Sequence, residues 1–237
     1  MQLFRTGIKN LKNDLLQLIY PQNCFGCNIE LVGSKAGICP VCAIDLEYTL
    51  FENYREASQL DKLFWGRVHL EGTFALLYFS KTGVSQQILH QLKYNSRKDL
   101  GFYYGSEIGK RILKMDAFKD VSGLIPVPLH PKKQFIRGYN QAAEIAKGVA
   151  EATSLPLRTD LLKRTVFSES QTKKGRLSRW DSMQNIFSSS QKGNETGHFV
   201  LIDDVITTGA TLEVCIRELQ KNFPGIKISV ASLAVAR

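Results

Sequence analysis

The sequence predicts an α/β protein, a parallel sheet with helices on both faces, preceded by a small cysteine-bearing module. Short apolar runs that read as strands, at 73–79, 123–128, 199–202 and 228–235, alternate with stretches of helical periodicity. Four of the five cysteines fall in two closely spaced pairs near the start of the chain. The chain has 237 residues, of which 43% are hydrophobic and 22% charged, enough for one large domain or a medium one with an attachment. Wholesale disorder and a long multidomain array are excluded.

In chain order, Leu3/Phe4, Ile8, Leu11, Leu15 and Leu18/Ile19 recur at helical spacing, predicting an amphipathic helix over 1–20 that ends at Pro21. This segment also carries Arg5, Lys9, Lys12 and Asp14 and lacks the uninterrupted apolar stretch of a secretion signal. The longest apolar runs fall short of the roughly 18 residues that cross a bilayer as a helix. A cytoplasmic protein without a transmembrane segment is expected.

Residues 21–72 form the second region. Cys24-x2-Cys27 and Cys39-x2-Cys42 read as a tetrahedral zinc site, because each short turn presents two sulfurs to one ion. Gly26, Gly33, Gly37 and Pro40 supply turns, and so short a stretch has little apolar core of its own. Redox chemistry and disulfides are the competing readings; a cytosolic setting weighs against disulfides. Four protein sulfurs leave the ion no open position, so the zinc is structural. Cys215 keeps step with Leu212, Ile216, Leu219 and Phe223 and reads as a core thiol.

Residues 73–237 form the main domain. After the strand at 73–79 come helical patterns through Ile88, Leu89 and Leu92 and then Tyr104, Ile108 and Ile112; a strand ending in Pro126-Val127-Pro128; and a helix through Ala142, Ala146 and Val149. The polar, basic stretch 169–185 interrupts this rhythm and reads as a lid or binding loop. The formal charge of +9 is concentrated in the middle of the chain: residues 73–168 carry 15 basic and 7 acidic side chains, whereas 1–72 carry 7 and 8. Such a field gathers phosphate-bearing ligands, small or polymeric, and solvated lysine faces are the alternative.

The sharpest signal is Phe199-Val-Leu-Ile-Asp203-Asp204-Val-Ile-Thr207-Thr208-Gly209-Ala210-Thr211-Leu212. An apolar strand delivers two adjacent carboxylates to its C-terminal end, where open α/β sheets bind ligands. The Thr-Thr-Gly-Ala-Thr turn then opens into a helix, converging N–H groups and hydroxyls on a point suited to a phosphate monoester. Carboxylates beside an anion site fit a ligand that also carries hydroxyls or a magnesium ion. A phosphate, a vicinal diol and a magnesium-bound diphosphate together describe phosphoribosyl pyrophosphate, PRPP.

Residues 200–212 resemble the PRPP-binding motif of type I phosphoribosyltransferases. Ile125-Pro-Val-Pro-Leu-His-Pro131, followed by Arg137-Gly-Tyr-Asn-Gln-Ala142, resembles the ComF family, named for competence proteins of naturally transformable bacteria. With the four-cysteine segment, this resemblance covers nearly the whole chain. It implies a type I phosphoribosyltransferase-like fold, with Asp203 and Asp204 on the ribose and Thr207, Thr208, Gly209, Ala210 and Thr211 on the 5′-phosphate. It also implies a pyrophosphate loop at Leu129 to Lys132, including His130, with Lys133 and Arg137 adding charge. Arg164-Thr165 through Gln171 to Arg176, Arg179 and Asn185 resembles the flexible loop that closes over PRPP in amidophosphoribosyltransferases.

The implied process is DNA uptake, with single-stranded DNA and uptake-machinery proteins as partners; Trp180 among Lys174, Arg176 and Arg179 is a candidate stacking residue. The alternatives are a phosphoribosyltransferase of nucleotide metabolism or salvage, and a nucleic-acid-binding module that keeps the sugar-phosphate site as a sensor. No acceptor signature and no N-terminal glutaminase cysteine is seen, since Gln2 follows Met1. The four histidines are dispersed, and only His130 lies near a candidate site.

Overall fold

The computed structural model describes residues 23–31, 37–165, 186–189 and 195–237. The helix expected over 1–20 and the loop at 169–185, with Arg176, Arg179 and Trp180, lie outside the described residues.

The described elements are α1 (Pro40–Ile44), α2 (Gln59–Phe64), β1 (Thr73–Phe79), α3 (Val84–Tyr94), α4 (Lys98–Ile112), β2 (Val121–Pro126), α5 (Pro131–Arg137), α6 (Gln141–Thr153), β3 (Leu162–Arg164), β4 (Phe187–Ser189), β5 (Gly197–Ile206), α7 (Ala210–Asn222) and β6 (Ile226–Ala236). Four strands form a parallel sheet in the order β1-β6-β5-β2, with β5 and β6 in the middle. The middle strands hold the longest apolar stretches: Val200, Leu201, Ile202, Val230, Ala231, Leu233 and Ala234 are fully buried. Strands covered on both faces read as such near-continuous runs.

The sheet margins are occupied by the protein's own chain. Beside β1, Thr49 N–H donates to Leu76 O and Tyr78 N–H to Glu47 O. Beside β2, Leu124 N–H donates to Pro156 O and Arg158 N–H to Leu124 O. A separate antiparallel pair, β3 and β4, is a feature that strand-helix alternation did not anticipate. α4 and α6 meet at backbone distance: a Cβ on Gly105 would lie 2.0 Å from Ile145 O, and one on Gly148 would lie 2.1 Å from Phe102 O. Only glycine permits that approach.

Two boundaries differ from expectation. β5 continues through Asp203 and Asp204 to Ile206 rather than ending before the acids, because β6 pairs with it as far as Val235. Residues 131–137 form a helix, where a turn was expected at Leu129 to Lys132: Pro131 starts it, the His130 ring Nδ1 accepts from Lys132 N–H at 3.1 Å, and Gly138 ends it in the left-handed region at φ +77°.

The cysteine segment packs onto the main domain. Phe25 meets Tyr103 and Tyr104 edge-on with centroids 5.8 and 6.5 Å apart, and the Gln91 side chain donates to Phe25 O at 2.7 Å. No described helix is long and apolar enough to cross a membrane.

Candidate ligand pocket and cysteine cluster

The C-terminal edge of the sheet opens into a hollow of about 200 Å³. Asp203, Asp204 and Thr211 line it from the β5–α7 side; Val127, Pro128, Leu129, Lys133, Arg137, Asn140 and Gln141 line it from the β2–α6 side. A recess of about 40 Å³, lined by Thr207, Thr208, Gly209, Ala210 and Thr211, shares Asp203, Val205 and Thr211 with it. All seven residues read from the strand–turn–helix motif therefore sit around two adjoining hollows that share a wall.

Local sequence explains the turn. Gly209 has φ +70° and caps α7, a conformation that strains residues with a Cβ. The room a Cβ would need is taken: one would lie 2.9 Å from the Phe64 ring. Phe64 belongs to α2, whose start is held by a capping box between Ser58 and Asp61. Arg67 follows and ties the turn down, donating to Thr208 O at 2.7 Å and Leu63 O at 3.1 Å, and to Glu213 Oε2 through Nε and Nη2 at 2.8 and 2.6 Å. Arg217 holds the other Glu213 oxygen and donates to Arg67 O at 2.6 Å. Glu213 has a lowered pKa: burial opposes ionisation, and the hydrogen bonds from Arg67 and Arg217 outweigh it.

The electrostatics set carboxylates and cations side by side in the hollow. Burial pushes the Asp203 carboxyl up to about 7, reinforced by the neighbouring Asp204, while the Asp204 N–H, Lys93 and Arg164 pull it back. Asp204 N–H donates to Asp203 Oδ1 at 2.8 Å, and Lys93 Nζ lies 3.1 Å from Asp204 Oδ2. Four cations, Lys93, Lys133, Arg137 and Arg164, share the hollow with two carboxylates. They crowd one another: Lys133 has a lowered pKa from burial and then from Arg164 and Arg137, and Arg164 has a lowered pKa from burial. Like charges held together in a cleft could be balanced by a multiply charged anion.

Of the residues expected to form a pyrophosphate loop, Leu129 and Arg137 line the hollow together with Lys133. His130 and Lys132 are not among the lining residues. The physical reason is α5: a helix places Lys133 and Arg137 on one face, four residues apart, and turns Lys132 to another. His130 serves as that helix's N-cap, and its imidazole has a lowered pKa from desolvation, Arg164, Lys132 and Lys133. Lys93 and Arg67 are site residues that sequence reasoning did not single out; Gln141 was quoted only within the run from Arg137 to Ala142, and Arg164 only as the start of the stretch that resembles a flexible loop over PRPP. Each arrives from a separate segment.

At the other end of the described chain, the four sulfurs of Cys24, Cys27, Cys39 and Cys42 lie within 4.8 Å of one another. All five cysteines, Cys215 included, are free thiols, so the disulfide reading is not realised. The Cys27–Cys39 sulfur separation of 3.7 Å matches the edge of a tetrahedron with metal–sulfur bonds of about 2.3 Å. Backbone N–H groups already point at the sulfurs: Gly26 and Cys39 donate to Cys24 Sγ, at 3.4 and 3.2 Å, and Cys42 donates to Cys39 Sγ at 3.4 Å. Cys24 is lowered to about 6, because donors from Cys27, Cys39 and Gly26 overcome its burial; Cys42 is raised by burial and by the other three thiols. Thiols this crowded cannot all ionise without a cation among them, and the cluster could hold a structural metal ion. Cys215 is fully buried in the core, as its helical spacing predicts.

Comparison with known proteins gives relatives of one kind. The chain is 34% identical over 100 residues to Competence protein F of Haemophilus influenzae, a match covering 41% of this chain and 44% of that protein. It is 26% identical over 218 residues to Competence protein ComFC of Bacillus subtilis, covering 90% of this chain and 83% of that one. The match thus spans less than half of the first relative and most of the second. Among solved structures it is similar to the glutamine phosphoribosylpyrophosphate amidotransferase of B. subtilis in complex with ADP and GMP, at 18% identity and a TM-score of 0.38, over 60% of this chain and 30% of that one. No protein-family model matches.

Proposed function

We propose that this relative of competence proteins binds PRPP with magnesium in the sheet-edge hollow, carries a structural zinc on its four cysteines, and acts in DNA uptake by handling single-stranded DNA. The observation that carries the ligand reading is the pairing of a small recess at the start of α7 with an adjoining hollow that holds a carboxylate pair and four cations. The 5′-phosphate takes the N–H groups and hydroxyls of Thr207 to Thr211. The ribose hydroxyls donate to Asp203 and Asp204. The diphosphate lies toward Lys133, Arg137 and Arg164. Magnesium, brought in with the diphosphate, supplies charge neutralisation at the leaving group.

Should glycosyl transfer occur, the protein need not provide a nucleophile. Positive charge spreads over the anomeric carbon and ring oxygen as the diphosphate departs. The residues' work is then to orient the sugar and stabilise separated charge.

The nucleic acid reading draws on the basic middle of the chain and on aromatic surface near the hollow. Tyr94 is 64% exposed, with the Arg137 guanidinium 5.6 Å from its ring centre, and Phe135 on α5 is 90% exposed. Exposed rings beside cations stack bases and hold backbone phosphate. The process itself comes from the relatives' names.

Titration calorimetry of the zinc-loaded full chain with PRPP and magnesium tests the ligand. Binding is expected, with its loss in the Asp203→Ala, Asp204→Ala double variant; no binding by the unaltered protein rejects the reading. Single-strand binding that weakens with salt yet survives the double variant supports a DNA-handling surface. Pyrophosphate release with a small acceptor points instead to a transferase of nucleotide metabolism.

A further inference from the structure

The four sulfur-bearing residues of the cysteine cluster are not equally covered: Cys24, Cys39 and Cys42 are buried, whereas Cys27 is exposed. Packing accounts for the difference. The Cys42 sulfur lies against Gly26 and α3, for a Cβ on Gly26 would come within 2.7 Å of Cys42 Sγ and 2.8 Å of Val84 Cγ1. Cys24 precedes Phe25, which Gln91 and the Tyr103 and Tyr104 rings hold to the main domain. Asn28 N–H then donates back to Cys24 O at 2.9 Å, closing a turn that leaves Cys27 on the outside.

Hydrogen bonds divide the sulfurs in a similar way. Gly26 and Cys39 donate to Cys24 Sγ and Cys42 donates to Cys39 Sγ, while among the described residues no backbone N–H donates to Cys27 Sγ. A donor stabilises a thiolate and lowers its nucleophilicity. A metal ion holds all its sulfur ligands as thiolates, so the exposed sulfur without a donor is the one left reactive. A partner for a second step is already in place, since Cys39 Sγ lies 3.7 Å from Cys27 Sγ. An accessible thiolate beside a second cysteine is the arrangement of oxidation-sensing sites.

We infer that Cys27 is the residue at which a peroxide oxidises the loaded cluster, and that Cys39 resolves the product as a disulfide, making the cysteine segment a reversible oxidation switch. This rests on the zinc reading above. The Cys27 thiolate attacks one peroxide oxygen and the O–O bond breaks, leaving Cys27 as a sulfenic acid and releasing hydroxide. The Cys39 thiolate then attacks the Cys27 sulfur, forming the S–S bond and expelling a second hydroxide. Two electrons have passed from the sulfurs to the peroxide. Two of the four ligands are consumed, and Cys24 and Cys42 alone cannot complete a tetrahedral site, so the ion leaves. None of these cysteines borders the hollow, so the change falls on the segment and its hold on the main domain.

Hydrogen peroxide added to the zinc-loaded full chain tests this, with zinc release followed by a chromogenic chelator and each cysteine by peptide mass mapping. Cys27 is expected to be modified first, a Cys27–Cys39 disulfide to accumulate in step with zinc release, and dithiothreitol with zinc to restore the cluster. Cys27→His keeps a ligand that zinc accepts beside three thiolates but removes the reacting sulfur, and release is expected to slow by roughly tenfold or more. If that variant does not hold zinc, the mapping of the unaltered protein decides. First modification at Cys24, Cys39, Cys42 or Cys215, a dominant disulfide between other sulfurs, or undiminished release in Cys27→His overturns the inference. So does a cluster that stays reduced and loaded after glutathione in the same solution has been oxidised. If the unaltered chain takes up no zinc, the zinc reading fails and this inference with it; if it holds zinc and oxidises elsewhere, only this inference falls.

Discussion

At the α7 end of the hollow the turn rests on a buried ring and is stapled by an arginine: Phe64 fills the space beneath Gly209, and Arg67 holds the Thr208 carbonyl and Glu213 together. At the α6 end the wall is completed by α5, a seven-residue helix with no buried side chain, whose Phe135 and Ile136 are 90% and 79% exposed. The first is a fixed mould and the second is a fixed helix start fronted by a loosely attached helix. Preorganisation is thus unequal. The α7 end has its geometry set before any ligand arrives, whereas α5 carries little packing energy to hold its cations in one place.

The contrast can be broken by damaging the mould. Gly209→Val places a branched side chain at positive φ and against Phe64, and is expected to weaken ribose 5-phosphate roughly a hundredfold in calorimetry. Retained affinity would mean that the turn is not preformed. Removing the staple is milder. Arg67→Ala leaves Gly209 and Phe64 alone but frees Thr208 O and half of Glu213, and a loss of roughly tenfold for the same probe is expected. Lysine at 67 should restore little of it, because one ammonium cannot reproduce the fork that spans both partners.

The carboxylate between the two ends gives a third test. The folded protein holds the Asp203 proton up to about pH 7, whereas an unfolded chain releases it near pH 4. Between those values the native state binds the extra proton, so this group stabilises the fold at acid pH and that contribution is lost as pH rises toward 7, levelling above it. The unfolding free energy of the native protein minus that of Asp203→Asn should fall across this window by up to about 1.4 kcal/mol per pH unit. A flat difference would show that the carboxyl is not buried against Asp204 as described.

The smallest effect on the pocket is expected from the cysteine cluster. Stripping the metal with a chelator should lower the melting temperature, since ion binding at such sites is coupled to folding. Affinity for ribose 5-phosphate at a temperature where the chain remains folded should change less than about twofold, because none of the four cysteines borders the hollow. A parallel collapse of affinity would mean that the metal organises the pocket as well as the segment around it.

How far the site was legible follows the same division. The mould is written contiguously, from strand through Asp203-Asp204 to Thr211, and so are the two cysteine turns; both could be read residue by residue. The α6 end was read only in part. Treating 129–132 as a turn put His130 and Lys132 at the site beside Lys133 and Arg137, whereas α5 brings only the last two to the hollow, and an i, i+4 reading of Pro131–Arg137 would have separated them. Gln141 was quoted only as part of a run, because nothing local marks a donor that becomes enclosed when α5 and α6 pack. Lys93, Arg164 and the Phe64–Arg67 stretch come from three segments joined only by tertiary contact. The spacing of Gly101, Gly105 and Gly109 along α4 was visible, but its meaning depends on Gly148 lying opposite.

That glycine seam has an outcome for which parts of the protein can adapt. With backbone pressed on backbone, α6 can neither roll nor slide against α4 without atoms colliding. Room for a larger or differently shaped guest must therefore come from α5, while the seam behaves as an anvil. Variation that retunes what the protein accepts should gather on the short outer helix. The row of glycines, remote from any guest, should tolerate almost nothing.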